Sequence, residues 1–492
     1  MTNNQALLSD GGIVFLFIYV LSLILIGWFG KKARKRNTLS DFYLAGRGMG
    51  VLILFLTLYA TQYSGNTLVG FAGRAYREGY QSLVLVTMLS GAVAAFVLYA
   101  PKLYQLSRTH NFITPTDYLK HRFKNTHLTL FAASLFLMAL ANYILTNLKA
   151  IGFIVVAVTG GAIPFAYGVI ALSFIMVIYE TMGGMRSVAW TDAIQGTILM
   201  IGVITIFITI NIEYGGLEFI YNGIKSNSPE KIFPPTTHQK LGWLSTVCLG
   251  FFGISLYPHA IQRIYSARNM TTLKRSIQAM AFMPLVTTLF MVVVGLTALA
   301  LFPDLNRSES EGATLLVLRD LVQRGAIGSG VIVLFLSATI AAIMSTVDSA
   351  LLSMSSIITK DFYSNFRPKA KEDQLTRLGK TISWFIMALA VYLAIVLPQT
   401  IWRLLEIKLE LLIQIAPAIF LGLYSKKINS KSIFLGMLVG TIFALVVMVL
   451  NKLGLNVQSK PLGIHAGVWG LLINIVTVFF HETKHNSKRK QS

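Results

Sequence analysis

Six positions in the last third of the chain are spaced so that they could do ion chemistry together. Ala342, Ser345, Thr346, Ser349, Ser353 and Ser356 recur at intervals of three and four, which at about 100° per residue places them on one face of a helix. A small hard cation is held by hydroxyl, carbonyl and carboxylate oxygens. The stripe supplies hydroxyls, and Asp348 stands on its flank, about 60° from Ser345 and about 100° from Ser349. Carbonyls would come from elsewhere. The run Thr57-Leu-Tyr-Ala60-Thr-Gln62-Tyr-Ser64-Gly65-Asn66-Thr67 interrupts one apolar stretch, and Gly250-Phe-Phe-Gly253-Ile-Ser-Leu-Tyr257-Pro258-His259 interrupts another. A helix that breaks there frees backbone carbonyls to face the stripe. The competing reading is small-residue packing, with each Ser hydroxyl bonded back to the preceding turn. It leaves the carboxylate of Asp348 unexplained.

The elements that must position these groups follow from composition. Of 492 residues 54% are apolar and 13% charged, with mean hydropathy +0.65, which excludes a water-soluble enzyme. A crossing takes about 20 apolar residues through a core roughly 30 Å thick. Thirteen spans can be drawn, at 11 to 30, 51 to 73, 81 to 101, 128 to 157, 162 to 181, 188 to 214, 241 to 262, 276 to 302, 329 to 358, 376 to 397, 404 to 424, 432 to 451 and 465 to 481. The first is followed at once by Lys31, Lys32, Arg34, Lys35 and Arg36, a stop-transfer pattern and not a cleavable signal. The expected fold is an all-α integral membrane protein, a single transporter domain over residues 1 to 492. The loops near 215 to 240 and 303 to 328 have room for one short helix each.

Loop charge sets the orientation. Of 42 Lys and Arg, with Arg377, Lys380 and Lys408 at span ends counted with the adjoining loops, 29 fall after odd-numbered spans, 12 after even-numbered ones, and Lys149 lies inside a span; Arg263 enters this count as a loop charge. The positive-inside rule then puts the N-terminus outside and the C-terminus, around Lys488 to Lys490, in the cytoplasm of a multi-pass cell-membrane protein. The net charge of +22 is thereby explained without nucleic acid as a partner. Membrane lipid and a small-molecule substrate are the expected partners, and no obligate protein partner is inferred.

Single residues divide between functional and structural readings. Lys149, an ammonium inside a span, needs a partner: a substrate carboxylate, a protein carboxylate, or the interface reached by snorkelling. Asp192 either ligates a cation or caps the start of the sixth span. Arg403, Glu406, Lys408 and Glu410 are expected to pair with one another at the outer end of the eleventh span. His481-Glu482-Thr-Lys-His485 matches the H-E-x-x-H pattern, but it adjoins a basic tail and carries no expectation of a metalloprotease. Gly436 and Gly440 suggest close packing in the twelfth span. The lone Cys248 precludes an intramolecular disulfide. No phosphate-binding or nucleophile constellation accompanies the spans, so an enzyme is not expected.

Two interruptions five spans apart are the mark of a transporter built from inverted repeats. Together with Gly183-Gly184-Met-Arg186-Ser-Val-Ala-Trp190-Thr191-Asp192-Ala-Ile-Gln195, Ala342 to Leu351 running on to Lys360-Asp361-Phe362-Tyr363, and Leu421-Gly-Leu-Tyr-Ser-Lys-Lys427, they make the chain resemble the sodium:solute symporter family over roughly residues 40 to 430. The resemblance implies a leucine-transporter-type core of ten helices, with repeats at 51–214 and 241–424 and two further helices at 432–481. It implies a sodium ion held by the carbonyls of Ala60, Tyr63 and Ala342 and the hydroxyls of Ser345 and Thr346. A second cation site would use Asp192, Ser345, Asp348 and Ser349, for one or two sodium ions in all. Substrate contacts would fall on Gln62, Ser64 and Thr67. Tyr257-Pro258-His259 resembles the branch handling small carboxylates such as monocarboxylates and pantothenate, with Lys149 a candidate anchor beside Tyr257. The implied function is sodium-coupled import of a small carboxylate by alternating access. An amino acid or sugar as solute, and a non-transporting sensor on the same fold, are the alternatives. A channel is disfavoured because the polar lining is one localised patch.

Overall fold

The computed structural model describes residues 8–34, 38–325, 328–397, 408–455 and 458–491. Among them the regular structure is helical, with one isolated bridge between Met49 and Ala267. Backbone groups in lipid must be bonded within their own segment, so apolar stretches of this length become helices. Ten are long and apolar enough to cross a membrane, and a bent pair adds an eleventh.

Helix α1 is Asp10–Lys32, capped by the Ser9 hydroxyl and carrying Lys31 and Lys32 in its last turn, where they complement the helix dipole. Helix α2, Val51–Gln62, ends where Tyr63 leaves helical geometry (φ −98°, ψ 88°). A π-turn over Asn66–Gly70 leads into α3, Phe71–Glu78. There follow α4 (Val84–His110), α5 (Thr126–Val158), α6 (Phe165–Gly183) and α7 (Met185–Tyr214). The second half has the same kind of interruption: α8 (Thr237–Phe252) and α9 (Pro258–Ser266) meet at a bend of 51°. Pro258 cannot donate to a continuing ladder, and the chain restarts there as a new helix. Then come α10 (Met270–Met280), α11 (Leu289–Leu301), α12 (Ser329–Ile357) and α13 (Glu372–Val396). Residues 408–412 are helical and lead through a tight turn at Ile413–Ile415 into α14, Ala416–Tyr424. Helices α15 (Ser430–Lys452) and α16 (Ala466–Gln491) form a closing pair.

The core is built round α12, which packs on α5, α7 and α2 and is among the most buried of the long apolar helices. Each break packs against another element at a glycine. A Cβ on Gly65 would meet Ile343 Cγ1 of α12 at 2.4 Å, and one on Gly253 would meet the Leu409 carbonyl at 3.3 Å. A larger residue at Gly65 would push the first break away from the stripe. Gly436 and Gly440 face Asn474, Val478 and the Gly470 carbonyl, the internal packing expected of them. Short helices occupy both long connections, at Gly216–Asn227 and Ala313–Gln323.

Helix α7 begins three residues before the drawn span, because Gly184 (φ 60°) turns the chain directly into it. Asp192 is therefore two turns inside the helix, and the capping reading of this residue falls.

Candidate functional site

The site begins with backbone that the first break releases. The helical ladder of α2 ends with Tyr63 N–H donating to the Tyr59 carbonyl at 3.0 Å and resumes with Thr67 N–H donating to Ser64 O at 2.8 Å. The Ala60 and Tyr63 carbonyls fall in the gap, on residues that are fully buried. Gly65 holds this gap against α12 at Ile343, one residue from Ala342.

The hydroxyl stripe on α12 is real, and α9 consumes most of it. Gln262 donates to Ser356 Oγ at 2.7 Å and accepts from Ser353 Oγ at 2.6 Å. Ser349 Oγ accepts from the Arg263 guanidinium. Thr346 donates back to the Ala342 carbonyl at 2.8 Å, the packing alternative realised at that residue. Ser345 is fully buried, and neither its hydroxyl nor Asp192 Oδ1 makes a hydrogen bond among the described residues. Ser345 is thus the stripe hydroxyl that α9 leaves unused, and it lies beside the Asp192 carboxylate.

Asp192 has a cation of its own. Arg263 NH2 lies 2.8 Å from Asp192 Oδ2, with both side chains fully buried. The guanidinium also donates from Nε to Thr57 Oγ1 at 2.8 Å and from NH1 to the His259 carbonyl at 3.0 Å, while Thr57 donates to the same carboxylate oxygen. One side chain on α9 thereby ties α2, α7 and α12 together. The assignment of Arg263 to a loop is corrected here: the helix that restarts at Pro258 carries it inward, one turn beyond His259. Asp348 faces away, accepting from Tyr179 of α6 at 2.6 Å and from the neighbouring Ser349 hydroxyl at 3.3 Å.

Gln62, Ser64, Thr67 and Tyr257 come together, lining one small cavity with Tyr143 and Lys408. Its free volume is about 20 Å³, room for about one water molecule. Tyr143, Tyr257 and His259 form an aromatic cluster with centroids 5.0 to 5.5 Å apart, and the Tyr143 hydroxyl donates to the Thr61 carbonyl at 3.3 Å. The Lys408 ammonium lies 3.3 Å from the Tyr143 ring centroid and 5.2 Å from that of Tyr257. Lys149 is not brought here: its ammonium donates to the Leu397 carbonyl.

Of the expected mutual pairing of Arg403, Glu406, Lys408 and Glu410, the part that falls on described residues, Lys408 with Glu410, is corrected. Arg403 and Glu406 lie outside the described residues. Lys408 makes no ion pair or hydrogen bond among the described residues, and Glu410 faces His465 Nδ1 at 3.5 Å. Successive residues of a short helix point to different sides, so charges two apart in sequence do not meet. Of the H-E-x-x-H residues, His481 and Glu482 both engage Ser432 at the start of α15.

Sequence reasoning missed Thr57, Tyr143, Tyr179, Arg263 and Lys408. For Tyr143 a signal existed in the polar pair Asn142-Tyr143 amid apolar residues. For Arg263 it was the spacing of four from His259, which puts it on the same helical face after the break.

Known proteins agree with this architecture. Sodium/proline symporter 2 of Staphylococcus saprophyticus is 26% identical over 97% of this chain and 93% of its own length. The sodium/pantothenate symporter of Escherichia coli K12 is 28% identical over 90% of each. A substrate-bound, outward-open Na⁺-coupled sialic acid symporter matches in structure with a TM-score of 0.78 at 20% identity, covering 96% of this chain and 97% of that one. A nucleobase-cation-symport-1 family transporter in a closed conformation matches at 0.55 and 14% identity, covering 91% and 95%. The profile of the sodium:solute symporter family matches residues 42–440, and the chain, with its interrupted helices and leucine-transporter-type inverted-repeat fold, belongs to that family of sodium-coupled transporters.

Proposed function

We propose that this protein couples entry of one sodium ion to import of a small carboxylate across the cell membrane. The observation that carries the reading is the first break itself: it leaves the carbonyls of Ala60 and Tyr63 outside the helical ladder, and Gly65 packs it against Ile343 of α12, two residues from Ser345, the stripe hydroxyl that α9 does not engage. With the Ala342 carbonyl and a rotated Thr346 hydroxyl they give a sodium ion the neutral oxygens it favours. Asp192 and Ser349 are engaged by Arg263, and Asp348 by Tyr179. These interactions favour a stoichiometry of one, with those three residues holding the seams among α6, α7, α9 and α12.

The carboxylate assignment is supported by chemistry common to the relatives. Proline, pantothenate and sialic acid, the solutes their names give, all carry a carboxylate. An amino acid would meet the same requirement; a neutral sugar would not. Gln62, Ser64, Thr67 and Tyr257 surround the solute. Sodium binding stabilises the state open to the outside and raises solute affinity, and by reciprocity solute raises sodium affinity. The two breaks are the hinges of the switch between states, since a break concentrates the bending in a few residues.

The thirteen-span topology belongs to this proposal, with repeats at 51–214 and 241–424, the N-terminus outside, and the loops around Lys120, Arg268 and Lys369 in the cytoplasm. Uptake into proteoliposomes driven by an inward sodium gradient tests the function. Accumulation of a carboxylate that collapses when sodium is equilibrated supports it, and equal accumulation with potassium in place of sodium refutes it. For topology, single cysteines in a Cys248→Ser background are labelled from outside; modification at position 369 would overturn the arrangement.

A further inference from the structure

We propose that the ammonium of Lys408 is the group that receives the solute's carboxylate. This rests on the carboxylate reading above and assigns the anchor within it. Lys408 is fully buried, and its ammonium has three donors and makes no hydrogen bond among the described residues. A buried charge is normally paired, because its lost hydration must be replaced. Here the replacement is partial: the ammonium rests on the faces of Tyr143 and Tyr257, a contact that attracts a cation without using its donors.

Position strengthens the case. Residues from both breaks, Gln62, Ser64 and Thr67 from the first and Tyr257 from the second, line the same cavity as Lys408. The segment that carries it is held against the second break, where Gly253 approaches the Leu409 carbonyl. An anion entering between the breaks would meet this ammonium first, with the hydroxyls of Ser64 and Thr67 and the amide of Gln62 available to its remaining oxygens. The other buried Arg and Lys side chains among the described residues are engaged, Arg263 by Asp192, Arg74 by Glu78 and Lys149 by the Leu397 carbonyl. The aromatic faces then act as a resting place, from which the ammonium moves onto the carboxylate when solute arrives.

The test uses the full chain in proteoliposomes with radiolabelled proline, pantothenate and propionate, each beside a counterpart that lacks the carboxylate: prolinamide, pantothenol and propionamide. The expected result is sodium-driven uptake of at least one acid and not of its counterpart. Lys408→Met should then raise KM for that acid about 100-fold, the scale of losing a buried charge-assisted partner, while binding of ²²Na⁺ persists. Lys408→Arg, which keeps the charge, should fall in between. If Lys408→Met transports the acid with a KM within threefold of the parent, the anchor assignment is overturned and the carboxylate reading stands. If the parent takes up a counterpart without the carboxylate as well as its acid, or takes up none of the acids, the carboxylate reading fails and the anchor with it. Should Lys408→Met not be recovered as sodium-binding protein, the parent decides. Carbodiimide activation of the bound acid should form an amide with the Lys408 Nζ and release water's equivalent as urea, giving a sodium-dependent mass gain on the Lys408 peptide. Absence of that adduct overturns the proposal.

Discussion

Two buried cations packed beside the same pair of breaks are treated in opposite ways. Arg263 has a carboxylate 2.8 Å away, two hydroxyls and a carbonyl, and connects four helices. Lys408 has two aromatic faces and no anion among the described residues. A planar guanidinium with five donors suits a permanent junction, whereas a compact ammonium on a flexible stem can leave one partner for another. The difference separates charge that holds the fold from charge kept available for a ligand.

The largest effect should come from breaking the filled pair. Asp192→Asn leaves the Arg263 charge buried without its carboxylate and should destabilise the protein by about 3 to 5 kcal/mol. Thermal unfolding in detergent without sodium measures it, and the double change with Arg263→Gln should recover most of the loss. A single Asn variant as stable as the parent would dissolve the contrast drawn here.

Next is the ion site between the two regions. Ser345→Ala should weaken sodium activation by about 1 to 3 kcal/mol, the range for a hydrogen bond or ligand contact to a charged group. Thr346→Ala should cost less, because that hydroxyl is already bonded to the Ala342 carbonyl. Sodium titration of uptake gives both values; equal losses would mean that Thr346 turns fully to the ion.

On stability, Lys408→Met should behave oppositely to Asp192→Asn and raise the unfolding temperature, by an amount equivalent to about 1 kcal/mol, because it removes a buried charge without stranding a partner. A fall of the size expected for Asp192→Asn would instead reveal a structural anion at Lys408. The smallest effect is reserved for Lys149→Gln. Its amide can still donate to the Leu397 carbonyl, so uptake of an anionic solute should change less than threefold, or less than about 0.7 kcal/mol. Abolished uptake with intact sodium binding would move the anchor from Lys408 to Lys149.

The breaks were legible because Gly, Ser, Thr, Asn and Pro inside apolar runs are local signals: each alters the ladder of its own segment. The stripe from Ala342 to Ser356 was legible for the same reason, since helical periodicity alone puts those residues on one face. What each hydroxyl does was not. Ser353 and Ser356 serve Gln262 and Ser349 serves Arg263, pairings made across about 90 residues of chain by the packing of α9 on α12.

By itself the sequence determined the membrane environment, the helical class, the two interruptions and the residues facing them. All of these follow from hydropathy and from backbone bonding within one segment. Only the tertiary structure decided which charges are paired. It drew Arg263 from an assumed loop into Asp192, set Lys408 on the face of Tyr143, and set Lys149 against a carbonyl. A charge in a low-dielectric interior takes the partner that folding brings nearest in space, and adjacency along the chain does not reveal which that is.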